Sequence, residues 1–475
     1  MKPKAIILLL LCSAVSFTAC KNKKQTLEDS KGKQEQMRLE TLYSTEETLD
    51  TIIPNPGIKY PEMRKVDPQN PPVVVNIEHP AEDKELDLNQ YYTQVEFVKI
   101  THPLSEKGIA FLGNSSVNTT YEQGASFSSG INSQVFLTQD KLIAGDYLFG
   151  YHCFDKQGNY IYTIVEKEEL PEFDVKANTA SLFWNYSTEM IALSVSDENC
   201  VITRRKFSAG DGAFNFHNIN TQRNYLTRPI SYNFPILLSP ETYAEYVYHP
   251  TQKNQRPLLI VFDIKGDTLS QFMNYNPLAD IGKGNYTNPE NSDFYRYGNR
   301  LTMRQAYNDT VYRVSADKLT PAFVLNQGSK KADVQTALKG DKKGKIFIEK
   351  LLETDDFLFV VHTEDYDSPN NRKSGAVKFF YSYYDKKAGK RYSIPSGVFP
   401  EVFALKNSHT DAIPLMLSNA TVYNDKLYSS YTKRQLKEMM ESDAFASFPP
   451  EQQEKLQSLH NEMTDYELLI MILKK

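Results

Sequence analysis

The stretch Tyr151-His152-Cys153-Phe154-Asp155-Lys156-Gln157-Gly158-Asn159-Tyr160-Ile161-Tyr162 sets two aromatic-rich runs on either side of a polar corner. Tyr, Phe and Ile suit the pleated, half-buried surface of a strand. Asp and Gly supply the turn between them, so the stretch reads as a β-hairpin. The same element returns at Leu258-Leu259-Ile260-Val261-Phe262-Asp263-Ile264-Lys265-Gly266-Asp267-Thr268-Leu269 and at Phe379-Phe380-Tyr381-Ser382-Tyr383-Tyr384-Asp385-Lys386-Lys387-Ala388-Gly389-Lys390. Weaker copies lie between, one from Lys206 to Phe214 around Asp211 and one from Val311 to Leu319 around Asp317.

The corner aspartates 155, 211, 263, 317 and 385 are separated by 56, 52, 54 and 68 residues. A hairpin-bearing period of this size is what a four-stranded propeller blade requires. A helical solenoid would show helical periodicity, and a single sandwich would show no repeat. Residues 91–140, opening with Val95-Glu96-Phe97-Val98-Lys99-Ile100, have room for one more repeat. The predicted fold is therefore an all-β propeller of six blades over residues 86–435.

Beyond the repeats the pattern changes. Leu436, Met439, Met440 and Ala444 follow helical spacing, as do Leu456, Leu459 and Met463 after Pro449-Pro450, a pair suited to a helix start. Tyr466-Glu467-Leu468-Leu469-Ile470-Met471-Ile472-Leu473 is an apolar strand candidate. An apolar strand needs a partner, because an open edge is a liability. The segment 436–475 is thus expected to be helical and then to supply a strand that closes the ring or adds to the outside of a blade.

Upstream, seven prolines between Pro54 and Pro80 favour extended, semi-rigid chain, and residues 20–85 read as a tether. Residues 1–19 read as a signal peptide: Lys2 and Lys4, an apolar run from Ala5 to Val15, then Ser16-Phe17-Thr18-Ala19. The run is shorter than the roughly 20 apolar residues a membrane span needs. Phe17-Thr18-Ala19-Cys20 resembles a bacterial lipobox, which implies that Cys20 is lipidated. Several acyl chains anchor a soluble domain stably. Lys21 after the cysteine is not the inner-membrane-retaining Asp, so the expected site is the outer membrane, in its periplasmic leaflet rather than at the cell surface.

A net charge of −5 over 475 residues, with well-mixed signs, gives no reason to expect nucleic acid. No Walker loop, dinucleotide glycine pattern or Gly-x-Ser-x-Gly elbow is present, so no nucleotide partner is expected. His79, His102, His152, His217, His249, His362, His409 and His460 show no zinc-protease spacing. Two weak constellations remain. Glu364, Asp365 and Asp367 gather hard oxygens of the kind calcium takes, although a solvated turn is the plainer reading. Trp184 and Tyr186, flanking Asn185, are able to stack on a sugar, although strand packing is the plainer reading. Cys153 and Cys200 are open to two readings, a disulfide or two small buried residues.

The chain also resembles the six-bladed β-propeller lipoproteins of Gram-negative gut-type bacteria, a family of unknown function. The resemblance runs from lipobox to final strand. It is closest at Asn308-Asp309-Thr310-Val311-Tyr312-Arg313-Val314, Leu319-Thr320-Pro321-Ala322-Phe323-Val324-Leu325 with Gly328, Glu353-Thr354-Asp355-Asp356-Phe357-Leu358-Phe359-Val360, and Asn461 to Lys475. It implies a fold and no catalytic residues. The expected function is a non-catalytic binding or scaffolding propeller on the cell envelope, for a glycan, peptide or protein partner, with no cofactor. The alternative is a propeller enzyme, a metal-dependent lactonase, lyase or glycan hydrolase acting in the central channel.

Overall fold

The computed structural model describes residues 69–108, 110–111, 134–146, 150–165, 194–195, 200–206, 212–229, 234–239, 241–246, 257–263, 265–273, 293–298, 300–332, 343–364, 379–394, 404–405, 411–417, 420–442 and 445–475. All of them belong to one unit, Asn55–Lys475.

Strands β1 (Val73–Asn76), β2 (Glu82–Asp83) and β3 (Gln94–Thr101) come first. Five antiparallel four-stranded meanders follow. The first is β4 (Gln134–Leu137), β5 (Lys141–Asp146), β6 (Gly150–Asp155) and β7 (Tyr160–Val165). The second is β8 (Ser194–Val195), β9 (Cys200–Lys206), β10 (Gly212–Asn218) and β11 (Arg223–Pro229). The third is β12 (Phe234–Ser239), β13 (Thr242–Tyr246), β14 (Pro257–Asp263) and β15 (Thr268–Met273). The fourth is β16 (Asp293–Tyr297), β17 (Arg300–Arg304), β18 (Thr310–Val314) and β19 (Leu319–Asn326). The fifth is β20 (Ile346–Glu353), β21 (Phe357–Glu364), β22 (Phe379–Asp385) and β23 (Lys390–Ser393). A short hairpin, β24 (Ala404–Leu405) and β25 (Leu415–Met416), precedes β26 (Thr421–Tyr423) and β27 (Lys426–Thr432). Helices α1 (Lys433–Met440) and α2 (Pro450–Glu462) and strand β28 (Glu467–Lys474) end the chain.

β28 lies between β27 and β3, paired with β3 from Glu467↔Thr101 to Lys474↔Gln94. This composite sheet joins the two ends of the described chain. Buried clusters then run from sheet to sheet around a ring. The composite sheet packs on the first meander through Val98, Ile100, Leu142 and Ile470. The third meander packs on the fourth through Val261, Phe272 and Met303. The fourth packs on the fifth through Val311, Phe323 and Val360. The fifth returns to the composite sheet through Phe359, Leu427 and Met471, joined by Leu436 and Leu456 of the helices. This is a β-propeller with two short helices. The expectation of six successive blades over residues 86–435 is corrected: five blades are continuous meanders, and the remaining four-stranded sheet is assembled from both ends. The region expected to be a free tether to residue 85 is also corrected. β1 adds parallel to the outside of β19 and β2 parallel to the outside of β23.

Three contacts at one constant separation fix the direction of neighbouring inner strands. Asp293 meets the backbone of Leu351, Tyr295 meets Glu353, and Tyr297 meets Asp355, each pair 58 residues apart. Lys350 to Ala420 and Asp355 to Asp425 share a separation of 70. Inner strands therefore run side by side in the same sense. In an up-and-down meander this sends the first and third turns of every blade to one end and all other connections to the opposite end. The turns at the first end are two to four residues long. The connections at the other run from three residues (147–149) to 34 (433–466).

Local chemistry explains the tight end. Asp155 Oδ1 accepts from the backbone N–H groups of Gln157 and Asn159 at 2.9 and 2.8 Å, and Asp263 Oδ1 repeats the pattern on Lys265 and Asp267. A carboxylate that binds its own backbone two residues on builds the turn itself. Gly158 completes the first of these turns at φ 90°. A Cβ there would sit 2.2 Å from the carbonyl oxygen of Lys99 on the composite sheet, so only glycine fits. The second meander departs from the sequence reading. Its equivalent turn is built by Asn218, which accepts from Asn220 and Thr221 N–H at 3.0 Å. Asp211 falls between β9 and β10, one hairpin earlier, and outside the described residues. In the fourth meander Ser315 occupies the corner, bonded to Asp317 and to the Lys318 carbonyl. Helix α1 starts at Thr432, whose side chain and that of Gln435 form a reciprocal capping box. Helix α2 starts with Pro450.

Candidate functional site

A dense polar cluster lies between the fourth and fifth meanders at the tight-turn end. Glu353, the last residue of β20, is fully buried, and four hydrogen bonds converge on its carboxylate. Arg313 of β18 donates through Nη1 at 2.7 Å and Nη2 at 2.6 Å, the Tyr295 hydroxyl of β16 at 2.9 Å, and Lys386 Nζ at 2.8 Å. Tyr297, two residues beyond Tyr295 and so on the same strand face, lies under both cations. Its ring centre is 4.1 Å from Lys386 Nζ and 4.7 Å from Arg313 Cζ. Burial works against the Arg313 charge, but the Glu353 hydrogen bonds and charge outweigh it and raise its pKa. For Lys386 burial prevails and lowers it. Beside this cluster, Lys475 Nζ reaches Asp356 at 3.1 Å and Asp355 at 3.6 Å, and pairs with Asp425. A carboxylate holding four donors has no lone pair left for a proton from substrate, so the cluster joins blades and offers neither base nor nucleophile.

Two further groups on the inner strands are committed in the same way. Asp293 Oδ2 accepts from Arg304 Nε at 2.7 Å, and that wholly buried guanidinium also meets the Ile348 carbonyl at 3.2 Å. Lys350, pushed down to about 8 by burial with Asp293 opposing, would serve as an amine nucleophile on pKa alone. Its Nζ instead donates to the carbonyls of Leu417 and Ala420, both at 3.0 Å.

Toward the opposite end, neutral imidazoles join the buried ion pairs. His102 and His152 meet edge to face with ring centres 5.1 Å apart. Burial pushes His102 down to about 4 and His152 to about 3. Leu104 N–H donates to His102 Nδ1 at 3.0 Å, and His152 Nδ1 pairs with Thr163 at 3.0 Å. His362 of β21, stacked on Phe380, is likewise pushed to about 3 by burial, with Arg391 and Lys330 adding to it.

The residues singled out in the sequence fall as follows. Glu364 ends β21 and accepts from Lys330 Nζ at 3.1 Å. Asp365 and Asp367 lie outside the described residues, in the connection between β21 and β22. Trp184 and Tyr186 lie outside them too, in the connection between β7 and β8. Both connections leave the sheets at the same end. Among the described residues no three ligating side chains are grouped for a metal. Cys20 lies outside the described residues. Cys153 is a buried free thiol, pushed up to about 11 by burial, and Cys200 is on β9 of the next sheet. No helix among the described residues is long and apolar enough to cross a membrane. Arg313 and Glu353 both fall in the stretches of closest family resemblance, but sequence reading did not bring them together. Its members come from four strands or turns, and no local spacing announces them.

The model of a domain of unknown function, DUF4933, matches residues 55–442. No curated protein matches the chain. The structure is similar to that of a protein described as exported, from Bacteroides fragilis NCTC 9343: 14% identity, 85% of this chain and 99% of that one covered, TM-score 0.51. At that identity the likeness shows the fold. BamB from Moraxella catarrhalis follows, with 8% identity, 71% and 95% covered and TM-score 0.35. The β-propeller domain of the Trilobed protease from Pyrococcus furiosus has 8% identity, 63% and 76% covered and TM-score 0.33.

Proposed function

We propose that this chain, which belongs to the DUF4933 family of unknown function, is an exported, lipid-anchored propeller of the cell envelope that binds a glycan, peptide or protein through its connection end. The support is the division between the two ends. The ionisable groups described at the tight-turn end hold one another, and the connections bearing Trp184, Tyr186, Asp365 and Asp367 leave from the other, the last two directly after Glu364. Loops carried on a rigid scaffold are where binding residues concentrate. Cys20 carries the lipid, the outer membrane holds it with the domain on the periplasmic side, and residues 21–68 span the distance. Calcium, if the protein takes it, belongs to the Glu364–Asp367 segment.

Two measurements test this reading. Incorporation of radiolabelled palmitate is expected in the wild type and lost in Cys20→Ala. Glycan and peptide arrays probed with a soluble form beginning after Lys24 are expected to give a ligand whose binding falls in Trp184→Ala and Tyr186→Ala and persists in Lys265→Ala, an exposed tight-turn change. Turnover of an arrayed glycan or lactone by the soluble form would replace the binding reading with the enzymatic one.

A further inference from the structure

Residues 77–84 link β1 to β2 and cross the outer edges of the fourth and fifth meanders as a strap. Its fastenings are specific. The N–H groups of Ile77 and Glu78 both donate to the Asn326 carbonyl, at 2.7 and 3.2 Å. Glu78 Oε1 accepts from the N–H and hydroxyl of Ser329, both at 2.7 Å. Gly328, at φ 52°, leaves that carboxylate its room, since a Cβ would lie 2.0 Å from it. Glu82 pairs with Lys390 at 2.6 Å, and Lys84 N–H donates to Ser393 O at 2.9 Å.

Under the strap lies Arg391 of β23. Its Nη2 donates to the carbonyl of His79, while Nε and Nη1 are buried with no acceptor. On the same sheet face, His362 of β21 has a buried Nδ1 that also lacks a partner. The register sets Leu358, Tyr384 and Arg391 opposite one another and His362 opposite Phe380, four residues along the same face and two strands away. Residues two apart on a strand share a face. Arg391 and Lys330 act electrostatically on His362, both with positive charge. The nearby carboxylates are engaged elsewhere, Glu78 with Ser329, Glu82 with Lys390 and Glu364 with Lys330. Burial lowers the pKa of Arg391, and no carboxylate among the described residues offsets it.

A guanidinium keeps its proton under all ordinary conditions. A buried charge without a counter-ion is strongly unfavourable. Ordered water satisfies the stray N–H groups but brings no charge, whereas an oxyanion supplies both acceptor and charge. We propose that Arg391 and His362 form the wall of an oxyanion-binding site beneath the strap, taking a carboxylate, sulfate or phosphate group. His362 donates from Nδ1 in the tautomer that carries its proton there. Arg391 stands on the outermost strand of its meander, away from the connections assigned to the main ligand, while His362 stands two residues before Glu364 at the root of one of them, and anion binding at Arg391 does not depend on that assignment.

The test uses the full chain in detergent. Binding of inorganic phosphate and of acetate is measured by calorimetry, and thermal unfolding is followed against each anion at constant ionic strength, with chloride as reference. The wild type is expected to bind one equivalent saturably and to melt higher as the anion rises. Arg391→Met is expected to lose at least about tenfold in affinity while melting no lower than the wild type in chloride. His362→Phe is expected to weaken binding more modestly, and keeps the test open if Arg391→Met fails to fold. Arg434→Met, on exposed α1, is expected to change nothing. The stronger of the two anions distinguishes a carboxylate-bearing ligand from free phosphate. Absence of saturable binding in the wild type, or unchanged affinity in both Arg391→Met and His362→Phe, overturns the proposal. So does a crystal structure grown in phosphate that holds only ordered water there.

Discussion

The two ends of the sheets differ in the titratable groups they bury. At the tight-turn end, carboxylates and cations meet directly: Glu353 with Arg313 and Lys386, and Asp355, Asp356 and Asp425 with Lys475. Toward the connection end ion pairs persist, Arg304 with Asp293 and Lys330 with Glu364, but imidazoles held neutral are buried there as well, His102 just after β3, His152 early in β6 and His362 late in β21. Paired charge is matched within the fold at both ends. Neutral imidazole tolerates burial only while it stays unprotonated. The end with long connections is therefore also the end that acid opens first.

Acidification gives the largest expected effect. Free His titrates near 6.5, and these three are depressed to about 4, 3 and 3. Below pH 6.5 the unfolded chain takes up protons that the folded chain refuses, so stability is full above pH 6.5 and falls as pH drops toward the folded values. Each buried His costs roughly 2 kcal/mol by pH 5. Hydrogen exchange at pH 5 against pH 7.5 should show protection lost first in β6, the end of β3 and β21. Uniform loss that includes the tight turns would erase the distinction between the ends.

Glu353→Ala addresses the other end. It strands Arg313 and Lys386 without their carboxylate and should cost about 3–5 kcal/mol in urea unfolding. A cost within the range of an exposed ion pair would mean the cluster is ornamental. Gly158→Ala follows, at about 2 kcal/mol, because the new Cβ meets the Lys99 carbonyl and the backbone sits at positive φ. Its melting temperature should fall while any ligand bound at the connection end is retained. The smallest stability effect belongs to Trp184→Ala, expected within about 0.5 kcal/mol of the wild type yet weakening ligand binding. A large loss of stability there would make Trp184 a packing residue.

The repeat was legible because a turn aspartate acts on its own neighbours. Asp155, Asp263 and Asp385 each accept N–H groups from residues just ahead, so residue type and position suffice. The reading slipped where another side chain does the same work. Asn218 and Ser315 also present an oxygen at the right reach, and the eye is drawn instead to Asp211 and Asp317. The strap shows a different limit. Pro71, Pro72 and Pro80 favour extended chain around it, but whether extended chain floats or pairs depends on Phe323 and Tyr392, each more than 200 residues away. The candidate sites divide likewise. Trp184, Tyr186 and the Glu364–Asp367 run stand out as local clusters, whereas Arg391 is one arginine among many until its burial is known.

What the chain order alone determined is the alternation of apolar runs and turn residues, hence hairpins, their spacing and an apolar final strand. These follow from contacts within a few residues, where backbone stereochemistry and side-chain reach leave few choices. Tertiary structure decided which edges pair, that residues 94–101 join 467–474 in one sheet, and that Glu353 collects cations while Arg391 finds no anion. Those outcomes depend on desolvation and on partners brought together across tens to hundreds of residues, and neither quantity exists until the ring has closed.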